Sequence, residues 1–85
     1  MSRLVAGPDA SPLRAWRVGR GLRVTDVARA VRMLPQFVSR LERGCDPLNA
    51  PRLARMAAFY GVRPEVLAQA MAAWHAGRAG PEGGA

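Results

Sequence analysis

The chain has 85 residues, 49% hydrophobic and 22% charged, with a formal net charge of +7 at pH 7 and a single cysteine. That size points to one small domain and that balance excludes a disordered chain; no apolar run approaches a membrane span, and one cysteine excludes an intrachain disulfide or a multi-cysteine metal site. All 13 basic residues are arginine, and such a surplus on a small domain suits an anionic partner, nucleic acid first among them.

Residues 1–10, with Gly7 and Pro8, read as a flexible arm that lacks the apolar core of a signal peptide; a cytoplasmic location is the simplest expectation. Ser11 and Pro12 predict an N-cap and a first-turn proline for a helix running to about Arg20, with Gly21 as a left-handed residue beyond its end. A second helix is expected over 24–31, with Val27, Ala28 and Val31 inward. A third starts at Pro35 and stops at Gly44. Asn49 caps a fourth, APRLARMAAFY, which Gly61 ends, and Pro64 opens a fifth, PEVLAQAMAAWHA, which Gly77 ends. Residues 77–85 are Gly-rich and predicted to be disordered. No segment alternates with period two, so the expected fold class is all-α, one domain over residues 11–76.

The third helix has two faces. At about 100° per residue, Leu34, Val38 and Leu41 share one arc, and Gln36, Arg40 and Arg43 lie opposite. The first set suits a core; the second is either a solvated face or a reading surface. Leu13, Trp16, Leu22, Val27, Val31, Met33, Val38, Leu41, Leu53, Met56, Ala57, Tyr60, Val62 and Leu67 form the expected core. The short turn between the second and third helices has the sequence shape of a helix-turn-helix.

From Leu13 to Leu67 the chain resembles the Cro/repressor-like, or xenobiotic-response-element type, helix-turn-helix family. The matching blocks are LRAWRVGRGL, then Val27-Ala28, VSRLERG, LARMAAFYGV and PEVL, in order and without a gap. The resemblance implies a five-helix, lambda-repressor-like DNA-binding domain whose third helix enters the major groove. It implies Gln36 as a base reader and Arg40 as a reader of guanine or a phosphate contact, with Phe37 at the border between packing and contact with a thymine methyl. Arg23, Arg29, Arg32, Ser39, Arg43 and Asn49 become candidates for phosphate contact. Glu42, at the edge of the buried face, needs a partner, and the family pattern places Arg17 there as a structural ion pair.

Three positions depart from the family pattern. Arg32 stands where the turn usually has glycine, at a cost of about 1 kcal/mol if the left-handed geometry is kept. Leu34 replaces the usual Ser or Thr cap of the third helix, with burial as its compensation, and Arg23 replaces the cap of the second.

No nucleophile–base pair, catalytic carboxylate pair or phosphate-cradling loop is present in the pattern, so no enzyme and no cofactor is expected. His75, the one histidine, reads as a surface residue at a helix C-terminus, and Cys45 as a loop residue. The expected partner is double-stranded DNA, with no membrane, metal or small-molecule effector. A transcriptional regulator is the leading reading; the alternative is a protein-interaction adaptor or antitoxin-type module on the same fold. Met71 and Trp74, at helical spacing on the fifth helix, are expected to lie beyond the core and to join two copies as a homodimer; the competing reading folds them back near Trp16.

Overall fold

The computed structural model describes residues 10–84, with side chains described through Gly77. Within them run α1 (Pro12–Gly19), α2 (Val24–Val31), α3 (Pro35–Arg43), α4 (Ala50–Tyr60) and α5 (Pro64–Gly84), and no strand. All but one residue of the arm assigned to 1–10 lies outside the described residues.

The helix starts follow from local chemistry. The Ser11 hydroxyl accepts the Arg14 N–H at 3.2 Å, and the Asn49 side-chain Oδ1 accepts the Arg52 N–H at 3.1 Å. Each satisfies a donor that a helix N-terminus leaves open. Pro12, Pro35 and Pro64 occupy first helical positions, where a missing N–H costs nothing. Arg23 cannot cap α2, since its side chain has no acceptor. Instead the Asp26 carboxylate accepts the Arg23 backbone N–H at 2.8 Å and its Nε at 3.4 Å. The backbone hydrogen bond, with the guanidinium second, holds the Asp26 carboxyl below its ordinary value.

The helix ends are equally local. Gly44 closes α3 at φ +75°, and the next amide, Cys45 N–H, reaches back to the Arg40 carbonyl at 2.9 Å. A Cβ at Gly44 would sit 2.5 Å from the His75 ring and 2.8 Å from that of Trp74, so any larger residue there would force those rings to move. Gly77, by contrast, does not end α5, whose backbone helix continues to Gly84. A glycine permits a left-handed exit without imposing one. The tail assigned to 77–85 lies outside the described residues in its side chains from Arg78 onward and in Ala85 altogether.

The core joins all five helices. Leu13, Val27, Ala28, Val31, Val38, Leu41, Met56, Ala57, Tyr60, Leu67 and Met71 are buried together. Trp16, Leu22, Met33, Leu53 and Val62 pack against them half-buried. Two expectations are corrected. Met71 is only 7% exposed and belongs to this core, because α5 lies along α1 and α4 and turns that side chain inward. It is therefore not free for a second copy, while Trp74 is half-buried against the same cluster and over Gly44. Leu34 is 53% exposed and recovers little by burial. It sits at the N-cap with extended backbone (φ −72°, ψ 145°), so the helical wheel that grouped it with Val38 and Leu41 does not apply to it.

Candidate nucleic-acid interface

Arg32, Met33 and Leu34 join α2 to α3. Arg32 adopts the left-handed conformation (φ 59°, ψ 49°) that the turn requires, although it is not glycine. Its N–H and that of Met33 both return to the Ala28 carbonyl, closing α2 tightly. The small Ala28, 2% exposed, lets the two helices cross closely.

A buried ion pair fixes α3 from behind. Arg17 Nε donates to Glu42 Oε2 at 2.7 Å and Nη2 to Oε1 at 3.2 Å, and Nη1 donates to the Leu22 carbonyl at 2.9 Å. The side chains are 8% and 4% exposed, so both charges are desolvated and mutually satisfied. The fork ties α1 to the last turn of α3 and sets the rotation of that helix.

That rotation turns Gln36, Arg40 and Arg43 outward, and all three are exposed. Phe37 is half-buried, with the Arg52 guanidinium 5.5 Å from its ring centre. It lines a shallow recess of ≈ 260 Å³ with Arg32, Met33, Leu34, Arg52 and Arg55. Arg23, Arg29 and Arg32 are exposed. Ser39 is half-buried and accepts a hydrogen bond from Arg43 Nη1 at 3.0 Å. Asn49 is exposed, with its side-chain Oδ1 committed to the α4 cap.

Three residues of this surface were missed in the sequence. Arg52 and Arg55 come to Phe37 from α4, and Asp46, beyond the end of α3, accepts from Arg40 Nη2 at 3.0 Å. No periodic signal links these positions; the chain reversal after α3 brings Asp46 back to Arg40, and the packing of α4 on α2 carries Arg52 and Arg55 to Phe37. His75, read as a surface residue at a helix end, is exposed but lies within α5 and not at its end, its ring tilted at 57° to that of Trp74 with centres 4.8 Å apart.

The assembled surface offers an amide that both donates and accepts, planar guanidinium forks and an apolar recess. Among the described residues no group of three or more His, Cys, Asp or Glu side chains could hold a metal ion, and no helix is long and apolar enough to cross a membrane.

No curated protein and no solved structure matches the chain. Residues 10–71 do match a family model described as a helix-turn-helix domain. Because that match takes in α2, the turn, α3 and the scaffold that packs behind them, the chain belongs to the helix-turn-helix domain family, a family of DNA-binding domains.

Proposed function

We propose that the protein is a sequence-specific transcriptional regulator that inserts α3 into the major groove of double-stranded DNA. The observation that carries this is the outward face of α3, where Gln36, Arg40 and Arg43 stand exposed on the second helix of the helix-turn-helix. Gln36 suits an adenine edge and Arg40 the O6/N7 edge of guanine. Phe37, beside the recess, meets a thymine methyl with the part of its ring that packing leaves open. Arg23, Arg29, Arg32 and Arg43 hold phosphates around these readers. Ser39 assists through Arg43, and Asn49 through its amide N–H2. The formal charge of +7 supplies the nonspecific attraction.

One such helix reads few base pairs, so two copies acting in the cytoplasm on a palindromic site complete the proposal, with half-sites about one helical turn apart. With Met71 in the core, Val66, exposed, and Trp74, half-buried against the core, are the large apolar side chains of α5 among the described residues that reach the surface for that contact. Selection from a random duplex pool tests the reading. A defined site is expected, with steep salt dependence, and Gln36→Ala or Arg40→Ala should each relax one position by about 1–3 kcal/mol. Salt-insensitive binding to a protein, with no DNA site selected, would favour the adaptor reading instead. Sedimentation with and without the selected duplex tests the two-copy stoichiometry.

A further inference from the structure

Arg40 does not project alone. Asp46 lies six residues further along the chain, past the end of the helix, yet its Oδ1 accepts from Arg40 Nη2 at 3.0 Å. The reversal at Gly44 makes this possible. The Gly44 N–H bonds to the Leu41 carbonyl at 3.1 Å and the Cys45 N–H to that of Arg40 at 2.9 Å, folding the chain back over the last turn of α3. The Asp46 side chain is then 13% exposed and that of Arg40 49%. The carboxylate is the more buried partner and the guanidinium the more exposed one.

An ion pair this open contributes little to stability. Its effect falls on orientation. A free arginine on this face samples many rotamers, and its strongest attraction in a groove is to phosphate, which needs no particular plane. Asp46 engages one of the five guanidinium N–H groups and offsets part of the charge. That contact favours one plane for the remaining donors, which two parallel hydrogen bonds to guanine require and a phosphate does not. A carboxylate beside the arginine also repels any phosphate drawn to it.

We infer that Asp46 is a positioning residue that holds Arg40 as a guanine reader and withholds it from the phosphate backbone. The inference rests on the placement of α3 in the major groove. Its test uses the full chain and the duplex selected by the wild type. Asp46→Ala is expected to lower the preference for one guanine by roughly tenfold or more. The dependence on salt should steepen, by a slope change of about 1, as Arg40 moves to a phosphate. Replacing that guanine by 7-deazaguanine, which lacks the N7 acceptor, should weaken wild-type binding and leave the Ala variant nearly unaffected. Asp46→Glu, which keeps the carboxylate, should recover part of the preference. A melting temperature equal to that of the wild type separates the effect from unfolding.

An Ala variant that keeps the guanine preference, or that binds all sequences more tightly by one common factor, would overturn the inference and leave the α3 reading standing. The same holds if the Glu variant recovers nothing. If the wild type selects no sequence at all, the α3 reading and this inference fall together.

Discussion

At the scale of single residues, two side chains carry costs that can be measured. Arg32 is the one non-glycine residue with positive φ among the described residues. Holding an L-residue there costs about 1–2 kcal/mol, part of which glycine would lose again through its freer unfolded chain. Arg32→Gly is therefore expected to raise stability by about 0.5–1 kcal/mol in denaturant titrations, while Arg32→Ala, which keeps the β-carbon, should not. The same glycine variant should bind DNA more weakly, since it removes a proposed phosphate contact. Glu42 is the opposite case. Its removal leaves the Arg17 charge buried, with the Leu22 carbonyl as its remaining partner. Glu42→Ala should cost about 3 kcal/mol or more, read as a large fall in melting temperature. An unchanged melting point would mean that the pair is solvated in solution.

At the scale of elements, α3 starts without a side-chain cap. Its N-cap Leu34 makes no side-chain cap hydrogen bond and is 53% exposed, so it contributes neither of the two things that position could supply. α1 and α4 begin with working Ser and Asn caps. Leu34→Ser should thus stabilise the protein by about 1 kcal/mol. A destabilised variant would show that the recess beside Phe37 depends on the leucine side chain. Pro35 at the first position and Gly44 at the exit compensate in part for the missing cap, and packing of Val38 and Leu41 holds the helix in register.

At the scale of the whole molecule, helix ends meet at Tyr60. Its ring packs edge-on against Trp16 and Phe59, with centres 5.5 and 4.9 Å away, and the Arg20 guanidinium sits 5.0 Å above it while donating to the Tyr60 carbonyl at 3.0 Å. Its hydroxyl is buried with no hydrogen-bond partner among the described residues. Burial, with the Glu42 charge second, pushes its pKa up to about 12 from an ordinary 10.0. The folded state therefore keeps a proton that the unfolded chain releases near pH 10. This contribution to stability is complete below that pH and is lost as pH rises through the folded value. Wild-type stability should fall between about pH 10 and 12. Tyr60→Phe keeps the ring packing, so its stability should lie within about 1 kcal/mol of the wild type at pH 7 and lose less across that alkaline window. Urea titrations at pH 7 and pH 11 compare the two directly; parallel loss in both proteins would remove Tyr60 from the account.

The sequence by itself determined the local features of this protein. Ser11, Asn49, the first-position prolines and Gly21, Gly44 and Gly61 act within one turn of their own positions, so the starts of α1, α3, α4 and α5 and the exit of α3 could be read along the chain. The two faces of α3 were legible for the same reason, because Val38 and Leu41 against Gln36 and Arg40 repeat at the helical period. Tertiary structure decided whatever depends on which elements meet. It put Met71 in the core by laying α5 along α1 and α4, and brought Arg52 to Phe37 and Asp46 to Arg40. Leu34 shows where the two meet: its apolar character invited a buried position, but the turn gives it extended backbone outside the helix, and the side chain leaves the arc that periodicity assigned to it. Periodicity orders side chains around one axis; it carries no information about the distance between two axes, and that distance selects the neighbours of the outward face of α3.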